Sequence, residues 1–127
     1  MTSRIAKLIQ VIPVDMDARL HNALQLSAYV LRQGKILCVF PEGTRARDGK
    51  LHEFKKGVGI IARELNVPII PVAIRGTYEM LASGRSFPLP AKVTVTFGKP
   101  IFPGSSDYDG IVKNLYEEVS GLLGEKE

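Results

Sequence analysis

The chain has 127 residues, of which 45% are hydrophobic and 24% charged, so it is long enough for a domain with a core and is not typical of disordered proteins. Lysine and arginine exceed aspartate and glutamate by four, a surplus that suits phosphate ligands, nucleic acid or an anionic membrane without choosing among them. The single cysteine excludes an internal disulfide, and no apolar run approaches the roughly 20 residues of a membrane span.

The first 40 residues predict a strand, a helix and a second strand. Residues 4–14 are mostly apolar and end in a predicted strand at 11–14. Leu20, Leu24 and Leu31 follow the helical period, and Gly34 provides a C-cap. The unbroken apolar run at 36–40 predicts a strand buried on both faces, as in parallel sheets, with Cys38 as an inert buried thiol.

The remainder of the chain continues this alternation. A second amphipathic helix is predicted from Val58 to Leu65, and a buried strand at 69–74 contains the unusual Pro71, which removes a ladder hydrogen bond. Residues 75–90 read as an irregular loop, and 93–97 as a half-exposed strand. Ser106 with Asp109 resembles a capping box that begins a final helix with apolar positions at Ile111, Leu115, Val119 and Leu122. The pattern predicts an α/β domain with a largely parallel sheet and flanking helices.

The loop after Phe40 carries the residues best suited to hold an anion. In open α/β sheets, ligands bind beyond the carboxyl ends of the strands. Arg45 can donate two charge-assisted hydrogen bonds to a phosphate, and Gly43 lets the backbone approach a ligand. Glu42 could accept from a ligand hydroxyl or hold Arg45, and Thr44 could donate to an anion. From composition alone, a charged turn whose side chains pair with one another is an equal alternative.

A nucleoside triphosphate loop does not fit these residues. Its motif, GxxxxGK followed by Ser or Thr, requires four residues between the glycines. Five residues separate Gly43 from Gly49, and Leu51 follows Lys50. Both the spacing and the missing hydroxyl exclude this class of site.

The order of the residues is more specific than their composition. Residues 39–45, VFPEGTR, resemble the FPEGTR signature of the glycerolipid acyltransferases, the PlsC-type 1-acylglycerol-3-phosphate acyltransferase family. The likeness continues through RDGKL at 47–51 and FKKG at 54–57. Residues 67–74, VPIIPVAI, are similar to a later block of the family, which accounts for the proline in a strand. The resemblance covers residues 10–104.

The resemblance implies a partial glycerol-phosphate-acyltransferase-like domain. Such enzymes transfer a fatty acyl group from acyl-CoA or acyl carrier protein to a glycerolipid phosphate such as lysophosphatidate. It implies that Glu42, Gly43, Thr44 and Arg45 bind the glycerol phosphate of the acceptor, and that Pro71 helps to shape the substrate site. Lys50, Lys55 and Lys56 either add attraction for phosphate and lipid head groups or are ordinary surface lysines.

The implied partners are the lipid acceptor, the acyl donor and a membrane surface. The resemblance implies no cofactor beyond the donor substrate and no nucleic acid. The apolar part of the N-terminus is too short for a convincing signal peptide, so we expect a place in the cytoplasm or at the cytoplasmic face of a membrane. A small basic α/β domain that binds nucleic acid is supported by charge alone, because the basic stretches contain no recognised nucleic-acid motif.

The family's HxxxxD block is missing from these residues. In the family, that histidine removes the proton from the acceptor hydroxyl, and the aspartate orients its imidazole. Leu26 and Gly57 occupy the positions at which His21 and His52 would need an aspartate. We therefore expect residues 1–127 to be a single domain, the C-terminal part of an acyltransferase domain, inactive alone. Surface normally covered by the missing half could then pair two chains. The alternative is a natural phospholipid- or lysophospholipid-binding module without turnover.

Overall fold

The computed structural model describes residues 20–46, 48–80 and 87–124. The chain divides into two compact units, Met1–Val39 and Phe40–Glu127. The strand expected at 11–14 lies outside the described residues. The helices are α1 (Leu20–Arg32), α2 (Gly57–Leu65), α3 (Thr77–Met80) and α4 (Tyr108–Leu123), and the strands are β1 (Val72–Arg75) and β2 (Thr94–Phe97).

In the first unit, the predicted helix is confirmed and the predicted strand is wrong. Helix α1 buries Ala23 and Ser27, and it is followed by Gly34 in the left-handed region, with φ 70°. Residues 35–40 have neither helical nor strand structure, and Ile36 is 93% exposed. Cys38 is exposed as well, which corrects its expected burial. The reason is that a strand needs a neighbour for its backbone hydrogen bonds, and none of the residues in the described ranges pairs with 36–40.

The second unit contains a two-stranded antiparallel sheet. Strands β1 and β2 pair Val72 with Phe97 and Arg75 with Thr94, and Ile69 forms an isolated antiparallel bridge with Ile101. Helices and a sheet are both present, but a largely parallel sheet is not confirmed. The apolar pattern at 69–74 predicts a strand without specifying the direction of its partner.

Helix α4 covers one face of this sheet. Ala73 of β1 packs in a core cluster with Val58 of α2 and with Leu115 and Val119 of α4. The helical period read from the sequence is thus confirmed, because Ile111 is also buried at the same spacing. On the strands, Ala73 is buried whereas Val72, Ile74, Val95 and Phe97 are 37–68% exposed.

Helix α4 begins at a different cap from the expected one. The side chain of Asp107, rather than that of Ser106, accepts a hydrogen bond of 2.8 Å from the amide of Gly110. An aspartate at this position satisfies a donor that the first turn leaves free, and its charge complements the positive end of the helix.

Contacts between α2 and α4 hold the chain that follows the loop. Lys56 lies 3.0 Å from the Asp109 carboxylate, and the Tyr108 hydroxyl donates to Glu64. The Arg63 guanidinium lies 5.2 Å from the centre of the Tyr108 ring. The Glu64 carboxylate raises the pKa of the Tyr108 hydroxyl, because it accepts the proton that ionisation would remove. Helix α2 is therefore tied to the start of α4 near both of its ends, through Lys56 at the first and through Arg63 and Glu64 at the last.

The part of the chain that the structure describes contains no helix with both the length and the apolar character that a membrane crossing requires.

Candidate functional site

The loop that begins after Phe40 is closed on itself by backbone and side-chain hydrogen bonds. The Gly43 amide donates to the Phe40 carbonyl at 3.1 Å, which forms a tight turn. The Lys55 amide donates to the Pro41 carbonyl at 2.8 Å. The carboxylate of Glu42 accepts the His52 amide at 3.0 Å. The start of the loop is therefore bonded to its end at two points.

The far end of the loop is held by Asp48. Its carboxylate accepts the Lys50 amide at 3.1 Å and lies 2.9 Å from Nε2 of His52. The Lys50 amide, and after it the His52 side chain, hold the pKa of Asp48 below its usual value, because both favour the ionised carboxylate. Gly49, with φ 73°, lies against Tyr78 of α3; a Cβ at this glycine would be 3.0 Å from the ring.

The backbone conformation of Gly43 favours glycine, and the Lys55 side chain lies close to it. The φ of Gly43, 70°, lies in the left-handed region that other residues rarely adopt. A Cβ built on it would lie 2.8 Å from Cε and 3.1 Å from Nζ of Lys55. The Lys55 ammonium group is thus brought beside the backbone of the motif.

Thr44 and Arg45 follow Gly43 on the exposed side of the loop. Within the described ranges, the Arg45 side chain has neither a hydrogen-bond nor an ion-pair partner. The suggestion that Glu42 holds Arg45 is therefore wrong, since the Glu42 carboxylate bonds to the His52 amide. Among the described residues, the loop therefore presents an Arg45 guanidinium without a partner, although Asp48 and His52 of the same loop do pair with each other.

The three lysines near the loop differ in their surroundings. Lys55 lies beside Gly43, whereas Lys56 pairs with Asp109 on α4. Lys50 is exposed, and its backbone amide, not its ammonium group, is bonded to Asp48. Of these three lysines, Lys55 is the one whose ammonium group the structure shows beside Gly43.

Both histidines are exposed residues. His21 is on the surface of α1, 2.9 Å from the Gln25 amide nitrogen, and His52 is an exposed loop residue. The His52 ring and Asp48 form a pair of side chains that are each about half exposed. The sequence did not predict the pair of His52 and Asp48, because the spacing of a catalytic block says nothing about side chains that a local turn brings together. It did not predict the contact of Tyr78 either, because residues 75–90 were expected to lack regular structure.

Pro71 occupies a different environment from the loop residues. Its ring is fully buried, and its carbonyl accepts the Gly98 amide at 2.8 Å. It precedes the first residue of β1, so its missing N–H costs the sheet no ladder bond. The structure gives Pro71 a packing role, and its role toward a substrate stays a prediction.

A shallow groove of about 470 Å³ lies between residues 53–56 and α4. Phe54 and Tyr116 meet edge to face in it, with ring centres 5.2 Å apart. Its lysines, Lys56 and Lys113, are matched by the acids Glu53 and Asp109. This balance of charge makes the groove a poorer phosphate site than the loop at 43–45.

Comparison with known proteins identifies the family. The family model described as Acyltransferase matches residues 1–75. A probable 1-acyl-sn-glycerol-3-phosphate acyltransferase of Mycoplasma pneumoniae is 31% identical, over 92% of this chain and 48% of that protein. The chloroplastic 1-acyl-sn-glycerol-3-phosphate acyltransferase BAT2 of Brassica napus is 35% identical, over 72% of this chain and 27% of its own length.

Comparison with solved structures identifies the same family. The crystal structure of PlsC, the 1-acyl-sn-glycerophosphate acyltransferase of Thermotoga maritima, matches with a TM-score of 0.73 and 37% identity, over 83% of this chain and 45% of that one. The chain therefore belongs to the acyltransferase family and is of the PlsC glycerolipid type. It spans about half the length of PlsC and of the Mycoplasma relative.

Proposed function

We propose that this chain carries the acceptor-binding part of an acyltransferase that acts on a glycerolipid phosphate such as lysophosphatidate. The fatty acyl group would come from acyl-CoA or acyl carrier protein and pass to the free hydroxyl of the acceptor. Two relatives named for acyl transfer to 1-acyl-sn-glycerol 3-phosphate support this class of acceptor. The observation that carries the proposal is the exposed Arg45 guanidinium, unpaired among the described residues, on a loop shaped by Gly43.

The loop offers the groups that a phosphate monoester needs. Arg45 can donate two parallel hydrogen bonds to its oxygens, and Thr44 can donate a third. The Lys55 ammonium group beside Gly43 adds a second positive charge. The loop would then combine positive charge with hydrogen bonds of defined direction. Lysines scattered over the surface would provide the charge alone.

The same charges suit a substrate that resides in a bilayer. Arg45, Lys50 and Lys55 are all exposed, and each positive group near an anionic membrane surface adds about 1 kcal/mol of attraction. We propose that this loop faces the cytoplasmic surface of a membrane, where acyl-CoA or acyl carrier protein can deliver the acyl group.

Catalysis needs a base that residues 1–127 do not contain in the HxxxxD form. The His52 ring, although near Asp48, does not reproduce that sequence block. The second candidate function, a lysophospholipid-binding module without turnover, follows from this observation. The two candidates differ for a longer protein that includes an HxxxxD-bearing sequence encoded upstream. The binding module should bind lysophospholipid and transfer no acyl group, whereas the enzyme should transfer it.

The test of acceptor binding is a calorimetric titration of the chain with glycerol 3-phosphate. Arg45→Ala should weaken binding by about 1.5–3 kcal/mol, the range for a hydrogen bond to a charged group. Arg32→Ala, which removes an exposed arginine at the end of α1, is the charge-matched control and should leave binding nearly unchanged. Equal affinities of a folded Arg45→Ala variant and the unaltered chain would refute the proposal.

A further inference from the structure

Glu42 is the one acidic side chain in the signature, and its carboxylate accepts a backbone amide across the loop. Its Oε2 accepts the His52 amide at 3.0 Å, and the residue is partly buried. We propose that Glu42 is a positioning residue: it holds the loop in the shape that binds phosphate and does not itself contact the acceptor. This inference rests on the proposed phosphate site at 43–45.

His52 connects the two ends of this arrangement. Its backbone amide donates to Glu42 at the start of the loop, and its ring bonds to Asp48 near the tip. Asp48 in turn accepts the Lys50 amide. Residues 43–46 therefore lie between Glu42 and Asp48, both of which are hydrogen-bonded to His52. The bond from the Lys55 amide to the Pro41 carbonyl joins the two ends of the loop as well.

Anchoring both ends of the loop should raise its affinity for phosphate, because less conformational entropy is then lost on binding. A free loop loses conformational entropy when a ligand fixes it, and a loop already held in the bound shape loses less. A hydrogen bond from an amide to a charged carboxylate is among the stronger ones available for this purpose. The contribution of Glu42 should therefore appear with any phosphate monoester, whatever hydroxyl groups the ligand carries.

Charge effects have the opposite sign, which makes the inference testable. A carboxylate close to a bound phosphate repels it, so removal of Glu42 by charge alone would strengthen binding. A loss of affinity for a phosphate ligand that has no hydroxyl groups must then come from the lost hydrogen bond. Glu42→Gln keeps an acceptor oxygen without the charge, and Glu42→Ala removes both.

The experiment compares two ligands, glycerol 3-phosphate and propyl phosphate, which lacks the hydroxyl groups. Glu42→Ala should weaken both by the same factor, about fivefold or more, as expected for the loss of one hydrogen bond. Glu42→Gln should stay within about twofold of the unaltered chain for both ligands. Glu53→Ala removes a nearby exposed carboxylate that makes no hydrogen bond within the described ranges, and it serves as the charge-matched control.

A direct contact between Glu42 and an acceptor hydroxyl would give a different result. Glu42→Ala would then weaken glycerol 3-phosphate alone and leave propyl phosphate unchanged or bound more tightly. That outcome would overturn the inference.

Hydrogen exchange at the His52 amide separates this inference from the proposed function. The amide should be protected in the unaltered chain and in Glu42→Gln, and should exchange faster in Glu42→Ala, whether or not a ligand binds. His52→Ala keeps the backbone donor, so its residue-52 amide should stay protected. Unchanged protection in Glu42→Ala would overturn the inference, while a failure of the unaltered chain to bind either phosphate would contradict the proposed function.

Discussion

Gly59 lies where the backbone of α2 approaches α4, and its replacement by alanine should force the two helices apart. A Cβ at this position would lie 2.6 Å from the Tyr108 carbonyl oxygen and 2.9 Å from Cγ2 of Val112. The carbonyl belongs to the first residue of α4, so it cannot rotate away as a side chain would. Separation of the helices would also lengthen the ion pair between Lys56 and Asp109.

The effect of Gly59→Ala on stability is the sum of a gain in helix propensity and a cost of overpacking. Alanine in place of glycine inside a helix gains about 1 kcal/mol. Overpacking at a rigid contact costs about 1–3 kcal/mol, and a backbone contact of this kind belongs near the upper end. We therefore expect Gly59→Ala to lower the free energy of unfolding by about 1–2 kcal/mol.

Gly121 provides the matched control. It lies on α4, and a Cβ there would meet no atom within 4 Å, so Gly121→Ala should gain up to about 1 kcal/mol from helix propensity alone. Both variants gain the same helix propensity, so the difference between their free energies of unfolding reports the cost of the close contact alone. We expect this difference to be about 2–3 kcal/mol.

Urea unfolding followed by circular dichroism measures both variants by linear extrapolation. A similar slope for the two variants and the unaltered chain would show that a change in midpoint reports stability. A Gly59→Ala variant as stable as Gly121→Ala would refute the close contact between α2 and α4.

Further predictions concern the helix cap, the loop carboxylate and catalysis. Asp107→Ala should cost about 1 kcal/mol of stability in the same unfolding assay, whereas Ser106→Ala should cost little, because Asp107 is the residue that caps α4. Because the pKa of Asp48 is lowered in the folded chain, its contribution to loop order is present above its ordinary pKa of 3.8 and is lost as pH falls through the lowered value. An NMR titration of Asp48 should therefore give a midpoint below 3.8, and a midpoint at or above that value would contradict the Asp48 contacts. The purified chain should transfer no acyl group from acyl-CoA to lysophosphatidate above background, and turnover would disprove the absence of a general base.

Helices α1, α2 and α4 could be predicted because their periodicity reflects the same core contacts that the structure contains, whereas the short α3 buries no residue and was not predicted. Ile111, Leu115 and Val119 recur at intervals of four residues and all are buried against the rest of the unit. Asn66 ends α2 in the left-handed conformation, at the residue where its helix was expected to stop. These signals are local, so a single sequence carries them.

The strands were harder to predict because their partners are not local. The apolar residues at 36–40 favour burial, but no described residue supplies the neighbouring strand that would make them part of a sheet. The run at 69–74 does contribute a strand, yet its partner β2 is antiparallel. Apolar content predicts that a segment can be buried, and it does not specify what covers it.

The candidate site was only partly accessible from the sequence. Residue order located Glu42, Gly43, Thr44 and Arg45, and the positive φ of Gly43 agrees with the tight turn expected there. The partner of Glu42 could not be predicted, because His52 contributes a backbone amide that every residue except proline possesses. The side chain that was weighed as its partner, Arg45, is instead exposed.

Acceptor binding by the loop at 43–45 is tested most directly by an NMR titration of the ¹⁵N-labelled chain with glycerol 3-phosphate. We expect saturable shifts centred on the amides of Gly43, Thr44 and Arg45, and we expect these shifts to be lost in the Arg45→Ala variant. Shifts centred on the groove around Lys56 and Lys113, or weak shifts spread over all exposed lysines, would contradict the claim that this loop holds the acceptor phosphate.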